Sequence, residues 1–230
     1  MTSRALILLY GTFAFHPALF AAEPLDSILA KITQSAGTFR AMSAKIRIRD
    51  YTAIIQDDST SEGAITIQRG GPRELRMVMH ITAPPEDAKS YAFHDRKAEI
   101  YTPKAKLVQE YDLGKNAGLV DQFLLLGFGT TGAELEKIYK IKLGGEETVG
   151  GRKTARLELT PKDKKAQEYL KQADLWVEVA EGRIVQQKFL EGNGNFRLVT
   201  YWDAKWNPEL TDAAVRLDLP KDVKRESPQK

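Results

Sequence analysis

Alternation of apolar and polar residues with a period of two recurs along most of this chain and constrains its fold more than any other feature. Ile46 and Ile48, for example, alternate with Lys45 and Arg47. The same alternation returns in the segments 64–68, 75–81, 139–143, 153–159, 175–179, 196–202 and 215–219. Because successive side chains of a strand point to opposite faces, each segment is predicted to be a strand with one buried face. The chain is therefore predicted to be mainly β, with about ten strands and a few helices.

Turn and helix signals lie between these strands. The pairs Gly144-Gly145 and Gly150-Gly151 are predicted to be tight turns. Apolar residues at i, i+3, i+4 and i+7 predict a helix in the segment 25–32, a cap at Asn116 predicts a second helix, and capping-box spacing predicts a third in the segment 131–139. An antiparallel sheet of this size is expected to curl, and helices over its concave face would enclose an apolar ligand cavity.

The N-terminus has the layout of a secretory signal peptide. A single charge at Arg4 precedes the apolar run from Ala5 to Phe20, and the small residues Ala21 and Ala22 follow. Cleavage after Ala21 is favoured over cleavage after Ala22. A membrane anchor is the alternative, but a glycine, a histidine and a proline interrupt the run, which falls short of the roughly 18–20 apolar residues of a span. We expect residues 1–21 to be the signal peptide and residues 22–230 to form a single domain.

The composition restricts the cellular compartment in which the protein is expected and the classes of partner that it is expected to bind. The chain has no cysteine, so an exported form would have neither a disulfide nor a lipid-modifiable cysteine. We therefore expect a soluble protein of the bacterial periplasm. Lys and Arg number 34 against 31 Asp and Glu, so no sequence-wide charge field indicates nucleic acid as a partner.

Signals of catalysis are few. The chain lacks a Gly-x-Ser-x-Gly elbow, a Walker loop and a His-Glu-x-x-His motif. His80 and His94 are expected on the wetter face of their strands rather than in a metal or catalytic site. We predict no catalytic residue, no metal site and no cofactor, and hence not an enzyme. A secreted hydrolase is the alternative, and a His80→Ala, His94→Ala double variant that kept full function would eliminate it.

The apolar residues carry the stronger functional signal. Leu75, Met77 and Met79 share one face of a predicted strand, and methionine suits surfaces that adapt to varied ligands. A short segment flanked by glycines is dense in Leu and Phe, and a late strand carries a tryptophan. The residues predicted to line the cavity are Leu75, Met77, Met79, Phe123, Leu124 and Trp202. The alternative for each of them is an ordinary core position.

Short strings in a fixed order add a family resemblance. They are Gly63–Arg69, Asp95–Lys97, Ile100–Pro103, Leu157–Pro161 and Leu217–Pro220, the last followed by Val223. Behind an amphipathic helix, this order resembles the LolA-type periplasmic carriers of outer-membrane lipoproteins. The likeness spans roughly residues 25–223. It implies an unclosed β-barrel with a helical lid, formed by a curled antiparallel sheet.

The resemblance also implies a function and one functional residue. Carriers of this type hold the acyl chains of a lipoprotein in an apolar cavity, and they pass their cargo from an inner-membrane exporter to an outer-membrane acceptor. An arginine that precedes a proline hydrogen-bonds the lid backbone and holds the empty cavity closed. Arg69 matches it by position, but the proline is displaced to Pro72, so Arg73 and Arg76 remain alternatives. Arg96 replaces a glycine of the family pattern, which leaves open a cargo other than a lipoprotein.

Two functions follow from this reading. The first is a monomeric carrier of acylated lipoprotein or another lipid. The second is an envelope sensor or interaction domain that uses the same fold, and such a protein should form a stable complex with a membrane-anchored regulator.

Overall fold

A computed structural model describes residues 23–71, 74–94, 96–114 and 126–228 of this protein. Within them the chain forms twelve strands. They are β1 (Ala41–Thr52), β2 (Asp57–Gly71), β3 (Glu74–Ala83), β4 (Lys89–His94), β5 (Lys97–Thr102), β6 (Leu107–Asp112), β7 (Tyr139–Val149), β8 (Arg152–Pro161), β9 (Gln172–Glu178), β10 (Ile184–Leu190), β11 (Phe196–Trp206) and β12 (Lys224–Glu226).

The described residues also form three α-helices. They are α1 (Leu25–Thr38), α2 (Gly132–Ile138) and α3 (Lys164–Tyr169). The predicted helices at the start of the chain and after Thr131 are confirmed, the latter with both hydrogen bonds of its capping box. The predicted helix from Asn116 lies outside the described residues, as do the predicted signal peptide and Asp95. Helix α3, which was not predicted, begins after Asp163, whose carboxylate accepts hydrogen bonds from two backbone amides.

All twelve strands belong to one sheet in the order β12-β6-β5-β4-β3-β2-β1-β11-β10-β9-β8-β7. Neighbouring strands are antiparallel except β12, which runs parallel to β6. Because β7 and β12 are the two edges, the sheet is not closed into a barrel. The predicted mainly β fold, an unclosed barrel with helices over it, is confirmed.

Two local predictions are wrong for identifiable reasons. The Gly144-Gly145 pair is not a turn, because β7 continues through it with a shift of register against β8 between Leu143 and Gly145. The segment 215–219 is not a strand. It follows a 3-10 turn at Asp212–Val215 and lies against the outer face of β3–β5, where Val215 is buried. Its alternation therefore reflects packing on the face of a sheet rather than pairing at the edge of one.

The apolar interior consists of two clusters on the inner face of the sheet. The first joins α1 and α2 to β8, β9 and β10, with Ile28, Leu135 and Leu175 fully buried. The second lies over β1, β2, β3 and β11 and includes Phe39 and Phe128. None of the helices in the described part of the chain is long and apolar enough to cross a membrane.

Candidate functional site

A cavity of about 520 Å³ lies on the inner face of the sheet, within the second cluster. Its apolar lining consists of Ile48, Ile65, Ile67, Met77, Met79, Ile81, Tyr91, Phe93, Ile100, Phe128, Phe189, Val199 and Tyr201. This volume lies within the range of roughly 300–1,000 Å³ that small-molecule sites occupy. The cavity can therefore accept an elongated apolar ligand.

Strand register explains why these side chains converge. In antiparallel strands, residues directly opposite each other point to the same face. Met79 lies opposite Ile65 on β2 and opposite Tyr91 on β4, and one row further along Met77 lies opposite Ile67 and Phe93. The alternation of β3 thus places both methionines on the cavity face.

One end of the cavity opens to solvent between polar side chains. Exposed residues at this mouth are Ser59, Asp87, Lys89 and Arg197. Arg197 holds Asp50 in a two-point ion pair, with Nε–Oδ1 and Nη2–Oδ2 distances of 2.7 and 3.0 Å. These residues lie at the end of β1, near the starts of β2, β4 and β11, and in the connection from β3 to β4. The mouth is therefore at the same end of the sheet as the β1–β2 turn.

Phe128 closes the opposite end of the cavity. Its side chain is 2 % exposed. The ring centroid lies 5.4 Å from that of Tyr201, 6.2 Å from Phe39 and 6.3 Å from Trp206. The end of the cavity is thus an aromatic compartment that the Phe128 ring already fills.

The backbone around Phe128 requires glycine on both sides. Gly127 and Gly129 have φ angles of +91° and +76°, in the region that side chains with a Cβ rarely adopt. A Cβ at Gly127 would lie 2.5 Å from a side-chain carbon of Ile184, and one at Gly129 would lie 1.9 Å from Nη2 of Arg69. These two glycines therefore turn the chain so that the Phe128 ring points inward.

Two side chains hold this segment by its carbonyl groups. Arg69 Nη2 donates a 2.8 Å hydrogen bond to the carbonyl of Gly129. On the other side of Phe128, the Gln187 amide donates to the carbonyl of Leu126, and its own oxygen accepts a 2.5 Å hydrogen bond from the Tyr201 hydroxyl. We name residues 126–129 the plug.

The polar groups that hold the plug are buried. Gln187 is 3 % exposed, and burial raises the pKa of Tyr201 far above its ordinary value, so this hydroxyl stays protonated and can donate. The Arg69 guanidinium carbon lies 6.0 Å from the Phe39 ring centroid. The Arg69 Nε is buried and has no hydrogen-bond partner among the described residues. Breaking either contact to the plug would leave a buried polar group without its partner.

The residues predicted to line the cavity are placed as follows. Met77 and Met79 line it, whereas Leu75 is buried in the surrounding cluster. Phe123 and Leu124 lie outside the described residues. Trp202 does not line the cavity, so that prediction is wrong: it points to the outer face of β11, where the Arg47 guanidinium carbon lies 5.6 Å from its ring centroid. Alternation gives the inner position to its neighbour Tyr201 instead.

The candidate arginines are also distinguished. Arg69 contacts the plug through its hydrogen bond to the carbonyl of Gly129. Arg76 lies on the opposite face of β3, where its Nε donates a 3.1 Å hydrogen bond to Glu74. Arg73 lies outside the described residues.

The family resemblance marks Arg69 by position, but neither the plug nor Gln187 was expected from the sequence. Phe128 has a usable signal, since a large aromatic residue between two glycines is typical of a tight, specifically turned segment. Gln187 has none, because a glutamine in a strand is more typical of the solvent face and its neighbour in the sequence, Gln186, is also a glutamine.

The histidines lie away from the cavity. His80 Nδ1 is 2.8 Å from the Ser90 hydroxyl, and burial lowers the pKa of His80. His94 Nε2 is 3.1 Å from a Glu99 carboxylate oxygen. Burial alone would raise the pKa of Glu99, but hydrogen bonds from His94 and Arg225 outweigh it and lower this pKa. The part of the chain that the structure describes contains no group of three or more His, Asp or Glu side chains able to hold a metal ion.

Comparisons with known proteins bear on the fold. No protein-family model and no curated protein matches the chain. Among solved structures, an uncharacterized conserved protein from Thermus thermophilus is 12 % identical, covers 88 % of this chain and 98 % of its own, and has a TM-score of 0.55. MucB is 14 % identical with a TM-score of 0.52, covering 84 % of this chain and 62 % of its own.

A LolA superfamily protein from Nitrosomonas europaea is also similar, at 16 % identity, 84 % and 97 % coverage and a TM-score of 0.41. At such identities a likeness concerns the fold alone. This chain spans about three fifths of MucB. The unclosed sheet with helices over its inner face is the architecture that the sequence resemblance implied, and the chain shares its fold with the Thermus thermophilus protein and with MucB.

Proposed function

We propose that this protein is a periplasmic carrier that binds the acyl chains of outer-membrane lipoproteins in its inner-face cavity and delivers them to the outer membrane. It would receive its cargo from an inner-membrane exporter and release it to an outer-membrane acceptor. One observation carries the proposal: an apolar cavity with one polar mouth ends at a plug that side chains hold by its backbone carbonyls.

The free energies of the acyl-bound state and of the empty, closed state support reversible binding. A buried acyl chain contributes ~0.8 kcal/mol per methylene, while a hydrogen bond to a charged donor such as Arg69 contributes about 1.5–3 kcal/mol. A few buried methylenes thus offset the contact between Arg69 and Gly129. The bound and empty states can lie close enough in free energy for a carrier that must both load and unload.

The mouth fits the chemistry of a lipid linked to a polypeptide. Two acids, Asp50 and Asp87, and two bases, Lys89 and Arg197, surround it. Because the positive and negative side chains at the mouth are equal in number, the mouth neither attracts nor repels a ligand of one particular charge. It therefore suits an uncharged acyl-glyceryl group that leads to a peptide chain outside the cavity.

The proposal places the mature protein in the periplasm. It rests there on the expected signal peptide at residues 1–21, with residues 22–230 as a single monomeric domain. Binding rather than catalysis is the proposed activity. No cofactor is needed for it.

Native mass spectrometry of the mature protein purified from its own envelope fraction tests the proposal. A co-purifying acylated lipoprotein would support it, and a free lipid would support carriage of another lipid by the same cavity. A protein that is empty and also fails to take up an acyl-chain fluorophore would refute the cavity as a ligand site.

A matched pair of variants ties fluorophore uptake to the cavity. Met79 lines the cavity, and the next residue, His80, points to the outer face of the same strand. Met79→Glu should abolish uptake because it places a carboxylate among apolar side chains. His80→Glu should leave uptake unchanged. Equal effects of the two substitutions would contradict the site.

A second candidate function is an envelope sensor or interaction domain. The likeness to MucB favours it, because MucB has been solved in complex with MucA(peri). Chemical crosslinking in intact envelopes separates the two functions. A sensor would be captured in a stable complex with a membrane-anchored regulator, whereas a carrier would be captured with acylated cargo.

A further inference from the structure

We propose that Phe128 sets the length of the acyl chain that the cavity accepts, because its ring occupies the compartment in which the end of a longer chain would lie. This inference rests on the proposed function. It adds a residue that selects among acyl chains, which differs from a contact that merely keeps the empty cavity closed.

The Phe128 ring lies between the cavity and the aromatic side chains at its end. Phe128 and Tyr201 line the cavity, and both also contact the aromatic compartment at its end. Behind the Phe128 ring lie Phe39 and Trp206 rather than solvent. Because the ring is 2 % exposed, its truncation would extend the cavity into an apolar space. Such a space is favourable for methylene groups and unfavourable for water.

The plug is held by its backbone and not by the Phe128 side chain. Its backbone is fixed on both sides of Phe128, at the carbonyl of Leu126 by Gln187 and at the carbonyl of Gly129 by Arg69. Neither hydrogen bond involves the Phe128 side chain. A smaller residue at position 128 therefore shortens the plug without removing either contact from the empty protein. In the loaded protein, where the Arg69 contact is released, Gln187 still holds the plug backbone at Leu126. Gln187 acts here as a positioning residue, which holds the backbone that aims the ring.

A phenylalanine lies at each end of the cavity. Phe189 lines the cavity near its mouth and also lines the adjoining surface groove with Tyr51 and Phe196. A ligand of any length would pass Phe189, but only a ligand long enough to reach the closed end would meet Phe128. The two phenylalanines are thus chemically matched and differ in depth.

The test measures binding of saturated fatty acids of increasing length to the full mature protein, by displacement of an acyl-chain fluorophore. Each buried methylene should raise affinity about fourfold, the fold-change that corresponds to ~0.8 kcal/mol at 1.4 kcal/mol per tenfold. For the wild type this rise should stop at a limiting length. For Phe128→Ala it should continue for about two further methylenes, a gain of about sixteenfold for the longer chains.

Two further variants make the outcome decisive. Phe189→Ala should weaken all chains by a similar factor and leave the limiting length unchanged. Phe128→Leu serves if the alanine variant does not fold, and it should shift the limit in the same direction by less. Wild type and both Phe128 variants levelling off at one common length would overturn the inference while leaving the carrier proposal intact. Failure of the wild type to bind a fatty acid of any length would instead refute the carrier proposal, and the inference with it.

Discussion

The guanidinium of Arg69, at the end of β2, donates a 2.8 Å hydrogen bond to the backbone carbonyl of Gly129. The two residues are 60 positions apart in the chain, and their contact joins the wall of the cavity to the plug that ends it. Arg69 is the described arginine that the family resemblance marks by position as the residue holding the empty cavity closed. The latch role itself remains a prediction, which the following variant addresses.

Arg69→Leu should increase the affinity for an acyl-chain fluorophore and slow its release. The substitution removes from the closed, empty state a charged hydrogen bond of about 1.5–3 kcal/mol, which corresponds to about tenfold to a hundredfold in affinity. Equilibrium titration and stopped-flow displacement measure the two effects. Arg76→Leu, on the opposite face of the sheet, is the control and should change neither. Equal behaviour of the two variants would argue against a latch at Arg69.

Gly129→Ala should destabilise the protein by about 1–3 kcal/mol, because position 129 has a φ of +76° and a Cβ there would lie 1.9 Å from Nη2 of Arg69. Displacement of Arg69 should also reproduce the binding phenotype of Arg69→Leu. Gly37→Ala is the matched control: it lies near the end of α1, and a Cβ there meets no atom within 4 Å. That change should stabilise by about 0.5–1 kcal/mol. Urea denaturation measures both, and a neutral Gly129→Ala would contradict the geometry of the plug.

Tyr139→Phe should make the protein less sensitive to alkali. Burial raises the pKa of Tyr139 from its ordinary 10.0 to about 12, so the folded state favours the protonated phenol. The contribution of the buried, protonated Tyr139 phenol to the free energy of unfolding is fully present below pH 10. It is lost as the pH rises from about 10 to about 12. Free energies of unfolding measured across this window should fall less steeply for Tyr139→Phe than for the wild type. Tyr169→Phe, at a tyrosine that is 67 % exposed, should follow the wild type.

Arg225→Ala should weaken the attachment of β12 to the sheet. Its Nη1 lies 2.9 Å from Glu99 Oε1 and also contacts Glu110, which joins three strands at this edge. The loss should be about 1 kcal/mol, since the Arg225 side chain is 49 % exposed. Because the pKa of Glu99 lies below its usual 4.5, this stabilisation is present above pH 4.5 and falls as acid protonates the carboxylate.

Thermal unfolding at neutral and acid pH tests the Arg225 prediction. The stability difference between Arg225→Ala and the wild type should shrink as the pH falls. Lys45→Ala removes an ion pair with Asp203 whose side chains are 62 % and 64 % exposed, so it is the control and should change the stability little at either pH. A pH-independent deficit in Arg225→Ala would point to lost packing rather than to charge.

The fold was predictable because most of its strands carry one clear apolar face. In β3 the alternation alone places Met77 and Met79 on the cavity wall. In β11 both faces are partly apolar, so the alternation of residues could not show whether Tyr201 or Trp202 faces the cavity. Pairing with β1 decides it, since Tyr201 lies opposite the fully buried Ile46. The facing of Tyr201 therefore depends on the register between β11 and β1, which are far apart in the sequence.

The plug was not predictable for a different reason. The many apolar residues before Phe128 predict a helix. A helix would not require glycine at positions 127 and 129, so the sequence does not indicate that these two glycines turn the chain. Their positive φ angles and their close approach to Ile184 and Arg69 are tertiary facts. The segment 215–219 failed in the same way, because its alternation matches a strand while its position is fixed by packing on a sheet face.

A pocket that opens between polar side chains also determines what its occupant leaves outside. If a lipoprotein is held as proposed, its hydrocarbon must enter first, and its polypeptide stays in solvent beyond Ser59, Lys89 and Arg197. The protein then touches only what all lipoproteins share and nothing of what distinguishes them. One such carrier can thus transport lipoproteins whose polypeptides differ in size, sequence or fold. Selection among these lipoproteins must then be made by another component of the pathway.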